Sequence, residues 1–219
     1  AYVFFNQDRS QIRAMRTMLP DFIAYLNLAR KVEGKDFIIE EKSLDIQLVE
    51  NMYPEVKDFI KPRGEQQDLI DFVTKTHNGC FLMTLPPGYG KTASAIMTCQ
   101  KLRQRMVCIM RPGYHGEQTE DSISGWIKEF AKSTKVEPHE ICTVSGNKEL
   151  KSIINLALNN ELRYKVILIS NKTLQFYFKY YEQYSEEEFK DLGFNCTPQE
   201  FPKLLGVNDL VIDEAHFDH

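Results

Sequence analysis

The sequence predicts an α/β fold, a mostly parallel sheet with helices on both faces. Three features carry this expectation. From about residue 64, short apolar runs alternate with helical stretches, as strands buried on both faces by crossover helices require. One run, Cys80–Leu85, is broken by Pro86-Pro87-Gly88-Tyr89-Gly90 in front of Lys91-Thr92. The last run, Leu210–Ile212, delivers two adjacent acids, Asp213 and Glu214. Ligands of such sheets bind beyond the carboxyl ends of the strands, and both special features fall there.

The elements follow in order. Residues 1–50 read as a small α+β segment, either a domain of its own or an addition to a sheet edge. A strand covers Tyr2–Phe5, and a helix is marked by Ile12, Met15, Leu19, Phe22, Ile23 and Leu26, with Pro20 bending or splitting it. Two further strands lie at Phe37–Ile39 and at the alternating Leu44, Ile46 and Leu48. Residues 51–219 form the main domain. A helix over Glu65–Thr76 presents Leu69, Phe72 and Val73 on one face. Strands are expected at Cys80–Leu85, Met106–Met110, Ile141–Val144, Val166–Ile169 and Leu210–Ile212, with helices near 92–104, 119–132, 148–159 and 172–183. Ile123, Trp126, Ile127, Phe130 and Ala131 follow the i, i+3, i+4, i+7, i+8 spacing of a buried helical stripe.

Composition excludes some classes. The chain is 42% hydrophobic and 26% charged, as an ordinary globular protein is. No run of 18 apolar residues offers a membrane span, and the start Ala1-Tyr2-Val3-Phe4-Phe5 lacks the pattern of a secretory signal. Five scattered cysteines with no C-x-x-C pair predict buried thiols in a reducing, intracellular setting, not a zinc site or a disulfide framework. The net charge of −4 is uneven. Residues 51–179 hold 18 basic and 13 acidic side chains, and residues 180–219 hold 2 and 10. The positive middle fits either a phosphate-bearing partner or ordinary solvated faces.

The broken strand has a chemical reason. Pro86 and Pro87 end ladder pairing. Gly88 and Gly90 permit positive φ and leave no side chain between backbone N–H groups and an anion. Lys91 then opens a helix whose amino end favours negative charge. These features read as a phosphate-binding loop for ATP, in which Lys91 would reach the β and γ phosphates and the Thr92 hydroxyl would ligate Mg²⁺; the alternative is a Gly-containing strand–helix turn with an exposed lysine. Leu85 stands where G-x-x-x-x-G-K-[ST] has its first glycine. The stretch Asp209–Phe217, DLVIDEAHF, offers the complement: Asp213 can hold Mg²⁺ through its water shell, and Glu214 can orient and deprotonate an attacking water, although paired acids after an apolar strand also occur as plain surface turns.

These residues carry a family resemblance. Asp213-Glu214-Ala215-His216 resembles the D-E-A-H box of superfamily 2 helicases and translocases, and Leu85–Thr92 resembles motif I of that superfamily, which often lacks the first glycine. Arg63-Gly64-Glu65-Gln66 resembles the R-P-Y-Q entry motif, with Arg63 and Gln66 carried over. MRPGYH followed by SGWIKEF resembles motif Ia of SWI/SNF-type DNA translocases, with an insertion between Pro112 and Trp126. VILISNKTL, Val166–Leu174, resembles their motif Ib. The resemblance spans about residues 60–217.

The resemblance implies a RecA-like ATP-binding lobe. Its nucleotide site would comprise Arg63, Gln66 as adenine reader, Pro87, Gly88, Tyr89, Gly90, Lys91 and Thr92. Thr92 and Asp213 would hold Mg²⁺, partly through water, and Lys91, Asp213 and Glu214 would be catalytic. Arg111, Pro112, Asn171, Lys172 and Thr173 would contact the nucleic-acid backbone, Thr173 alternatively serving as a helix cap. His216 would couple nucleotide to a neighbouring lobe. The expected activity is ATP hydrolysis coupled to movement on DNA, most like a double-stranded DNA translocase. An RNA helicase shares the D-E-A-H box, and a non-motor RecA-like interaction module is the reading from another class. The sequence ends two residues after Phe217 without an S-A-T motif or second RecA-like lobe. The expectation is therefore an N-terminal lobe that is nearly inert alone, because arginine fingers are worth roughly 10³–10⁵ in rate.

Two other stretches read as structural. LQFYFKYYEQY, Leu174–Tyr184, is expected to pack on the sheet with tyrosines at its rim, rather than to stack on bases. Ser185 and Glu188 match a capping box.

Overall fold

A two-stranded antiparallel ladder comes first. β1 (Val3–Phe5) pairs with β2 (Ile12–Ala14), Val3 opposite Ala14. Helix α1 (Leu19–Glu33) follows, with Leu26 buried. The helix expected from Ile12 therefore begins only at Leu19. Pro20 is its second residue, where a missing N–H costs no intrahelical bond, so the proline starts the helix instead of bending it. The computed structural model describes residues 3–5, 12–14, 19–34, 51–75, 83, 86, 88–111 and 122–213. The strands expected at Phe37–Ile39 and 44–48 lie outside these, as does the run Cys80–Leu85 apart from Met83. Two compact units divide the chain, Ala1–Ser43 with Lys75–Thr84, and Leu44–Thr74 with Leu85–His219.

The second unit carries the parallel sheet. Its described elements are α2 (Gly64–Lys75), α3 (Lys91–Leu102), β3 (Met106–Met110), α4 (Ser122–Ser133), β4 (Ile141–Val144), α5 (Asn147–Leu158), β5 (Val166–Ser170), α6 (Asn171–Gln183), α7 (Glu186–Asp191), α8 (Phe201–Leu205) and β6 (Val211–Ile212). The strand order is β4-β5-β3-β6, all parallel. Met106 pairs with Val166, Ile141 with Val166, and Ile109 with Ile212.

Alternation of side chains along the strands divides the core into two layers. Val107, Val144, Ile167 and Ile169 face α5, α6, α7 and α8, through Leu150, Ile153, Tyr177, Phe189 and Leu205. Met106, Cys108, Met110, Val166 and Leu168 face α3 and α4, through Ala95, Ile96, Cys99, Trp126 and Phe130. Both faces of the sheet are thus covered by helices, which is why β5 reads as an unbroken apolar run buried at every position.

Some expectations shift in detail. The buried face of α2 is Gln66 and Ile70, while Phe72 is 55% exposed. On α4, Trp126 and Phe130 are buried, and Ile127 and Ala131 turn outward. In α6, Tyr177 is fully buried against Phe189, Phe194 and Phe201, and its hydroxyl donates to the Cys196 carbonyl. Tyr184 and Phe176 lie at the surface, so the aromatic helix is a packing element with an exposed rim. The Ser185–Glu188 capping box opens α7, as its spacing predicts. Helix α8 has no strong periodic signal because it is five residues long.

A strap, residues 51–63, leads into α2. The Val56 N–H donates to Gln100 Oε1 at 2.7 Å, and Lys57 Nζ donates to the Ala131 carbonyl at 2.7 Å. Val56 also forms a bridge to Thr134. The strap is thereby tied to the last turns of α3 and α4 and fixes where α2 begins.

Candidate nucleotide site

The carboxyl edge of the sheet collects the predicted residues through strand register. Arg111 directly follows β3, Asn171 directly follows β5, and Asp213 directly follows β6. Met110 pairs with Ser170, and Ile109 with Ile212. Asp213 therefore stands level with Met110, and Arg111 and Asn171 come one residue further out. Adjacent strands lie about 4.8 Å apart, so these residues form a short row. The Asp213 N–H donates to the Ile109 carbonyl at 2.9 Å, extending the ladder as far as the acid itself.

Helix α3 brings the glycine loop, residues 88–90, towards the same edge. Only residues 103–105 separate α3 from β3. Arg103 takes φ 53°, and its N–H satisfies carbonyls of the last turn of α3. A turn this short makes α3 run back along β3. The helix is about 18 Å long and the strand about 16 Å, so the amino end of α3 reaches the carboxyl edge of the sheet.

That amino end leaves its backbone N–H groups without a side-chain cap, an arrangement suited to an anion. Gly88 and Gly90 hold φ of 76° and 88°, in the left-handed region. No side chain caps the helix, and its first turn carries no acid. Ser94, fully buried, donates both its N–H and its hydroxyl to the Gly90 carbonyl, which turns the loop into the helix. Lys91 is exposed and Thr92 half-buried.

The first turn of α2 braces this loop. Gln66, 4% exposed, donates through Nε2 to the Tyr89 carbonyl at 2.8 Å and to the Gly90 carbonyl at 3.4 Å, and accepts from the Arg63 N–H at 2.8 Å. Its amide is engaged at both ends with backbone. The Tyr89 hydroxyl donates to Glu65, a bond that holds the phenol above its ordinary range. The Arg63 guanidinium lies 5.9 Å from the Tyr89 ring centre. Arg63, Glu65 and Gln66 thus meet the glycine loop, two of them through the Tyr89 side chain and Gln66 through backbone carbonyls.

Asp213 has its own partner. Trp126 Nε1–H donates to Asp213 Oδ2 at 2.8 Å. No local pattern links residues 87 positions apart. The available signal is that a buried indole N–H needs an acceptor, and α4 follows the strand beside Asp213.

The donor set fits a magnesium nucleotide. Among the described residues, no three His, Cys, Asp or Glu side chains cluster into a metal cage. Mg²⁺ bound with phosphates needs none, since it keeps several waters and takes one or two hard protein oxygens. The Thr92 hydroxyl and the Asp213 carboxylate are of that kind.

The remaining predicted residues divide. Arg111 and Lys172 are exposed and Asn171 half-buried, whereas Thr173 is 3% exposed in the first turn of α6 and offers its side chain to the fold instead of to solvent. Pro87, Pro112, Glu214 and His216 lie outside the described residues. An open groove of about 520 Å³, lined by Lys61, Gln67, Met97 and Arg103 among others, lies along α2 and α3 and includes none of Lys91, Thr92 or Asp213. Among the described residues, no helix is long and apolar enough to cross a membrane. No protein-family model matches the chain, and no curated protein matches its sequence.

Proposed function

We propose that this chain is the ATP-binding lobe of a nucleic-acid-dependent ATPase of the superfamily 2 type, most like a double-stranded DNA translocase. The reading is carried by an uncapped helix amino end entered through two left-handed glycines, on a helix whose short turn into β3 directs that end towards the sheet edge where Asp213 follows β6.

In this reading Lys91 and the loop N–H groups hold the nucleotide phosphates, and Thr92 and Asp213 hold the cation. Mg²⁺ supplies charge neutralisation at the phosphates. Glu214 takes a proton from the attacking water. Arg111, just after β3, and Lys172, in the first turn of α6 after β5, are suited by exposure and charge to a nucleic-acid backbone. Hydrolysis at a useful rate requires a second lobe with an arginine finger, so binding is the proper test of this chain.

The test is a titration with a fluorescent ATP analogue in Mg²⁺. Lys91→Ala should weaken binding at least about tenfold, the equivalent of losing a charge-assisted hydrogen bond of about 1.5–3 kcal/mol. Equal affinity in parent and variant would overturn the phosphate-loop assignment. In a protein that includes the second lobe, duplex DNA, single-stranded DNA and RNA of equal length should differ in stimulating hydrolysis, with duplex strongest. Strongest stimulation by RNA would move the protein to the RNA helicases, and none by any of them would make it a non-motor module.

A further inference from the structure

The hydrogen bond from Trp126 to Asp213 joins the single tryptophan of the chain to the carboxylate assigned to the cation. We propose that Trp126 is a positioning residue for the nucleotide-bound cation, fixing Asp213 through Oδ2 so that Oδ1 meets the cation's water shell. This rests on the nucleotide-site reading above.

Three observations support the role. The indole is only 5% exposed and belongs to the core layer that also holds Met110, Phe130, Ala95 and Ile96, with its ring centre 5.9 Å from that of Phe130. Its orientation is therefore set by packing, before any ligand arrives. The Asp213 backbone is fixed independently by its N–H bond to Ile109 at 2.9 Å. With backbone and one oxygen both held, the carboxylate has little rotational freedom left. Finally, an indole N–H is a donor only. It can orient a carboxylate without competing for the cation, which a lysine in the same place would do by charge. Partners of this kind, one layer behind a metal ligand, commonly change metal affinity 10–100-fold when removed.

The same contact makes Trp126 a reporter. One tryptophan gives one indole N–H resonance, and that proton sits on the assigned ligand. In the ¹⁵N-labelled chain, Asp213→Ala should move this resonance beyond its linewidth, and so should Mg²⁺ with ATP in the parent. Trp126→Phe retains an aromatic ring but no donor. It should bind the fluorescent ATP analogue in EDTA as the parent does, within about twofold, while the Mg²⁺ concentration needed to reach half of the Mg²⁺-dependent gain rises about tenfold. An unmoved Mg²⁺ dependence in a folded Trp126→Phe variant overturns the inference and leaves the nucleotide site standing. So does an indole resonance unchanged by Asp213→Ala, which can be read even if Trp126→Phe fails to fold. Absence of nucleotide binding in the parent overturns the functional reading, and this inference with it.

Discussion

A Cβ placed on Gly90 would lie 2.6 Å from Gln66 Nε2, the amide nitrogen that braces the phosphate loop. The two residues are 24 positions apart and exclude any larger side chain between them. Gly88 differs: a Cβ there meets nothing within 4 Å, so its glycine answers only to φ of 76°.

The contrast is measurable. Gly88→Ala should cost about 1–2 kcal/mol, the strain of a left-handed alanine. Gly90→Ala carries that strain and also displaces Gln66 from two carbonyls, so it should cost about 2–4 kcal/mol. Urea denaturation gives both values. In the double variant Gln66→Ala with Gly90→Ala, the two losses should sum to less than their separate values, because the clash is removed once. Strict additivity would show that Gln66 does not enforce the glycine.

Arg105 should be a stability determinant at the opposite edge of the sheet. It is 3% exposed, and its guanidinium donates to the Tyr164 carbonyl at 2.5 Å, to the Leu162 carbonyl at 3.3 Å and to the Leu205 carbonyl. Burial holds its pKa down to about 10. The side chain gathers the approach to β5 and the end of α8 around the start of β3. Arg105→Ala leaves three carbonyls to find new partners and should cost about 2–4 kcal/mol by urea denaturation. Arg105→Lys should recover only part, since an ammonium lacks the planar fork that reaches three acceptors. The depressed pKa means that the buried charge is a cost at neutral pH, relieved only as pH rises past about 10. Full recovery by lysine would show that charge alone suffices.

The four thiols among the described residues, Cys99, Cys108, Cys142 and Cys196, should be unreactive in the native chain. Burial pushes Cys99 up to about 12 and Cys142 and Cys196 up to about 11, and Cys108 is raised well above the ordinary range by burial and the nearby Asp213. The thiolate is the nucleophile, so at pH 8 these groups should react on the order of a hundredfold more slowly than an ordinary cysteine. With iodoacetamide at pH 8, no more than one of the five cysteines, Cys80, should be modified quickly, and all five should be after denaturation. Because the folded pKa values are raised, the folded state retains protons that the unfolded chain releases. Stability from these thiols is full below about pH 8.5 and declines as pH climbs towards 11–12. Fast modification of two or more native thiols would contradict this.

Much of the architecture was legible in one dimension. The runs at 106–110, 141–144 and 166–170 are strands because apolar stretches of four or five residues between helices are too short for helices themselves and suit a sheet covered on both faces. The turn into α3 was legible because Gly88 and Gly90 tolerate a backbone that other residues resist. Local chemistry also marked the Ser185 cap, whose partner is three residues away. The approach to α1 was misread because Ile12 and Met15 fit a helical period as well as they fit alternation, and pairing with Val3–Phe5 lies outside any local window.

Sequence alone therefore determined the alternation of strands and helices from residue 91 to 183 and the identity of the residues that follow β3, β5 and β6, since both depend on side chains within a few positions of each other. Tertiary structure decided what those residues hold. Gln66 is engaged by the loop it braces, Thr173 is buried, and Trp126 grips Asp213 across 87 positions. Each outcome follows from parallel strand register and helix packing, which place distant residues within hydrogen-bond distance and leave no trace in local spacing.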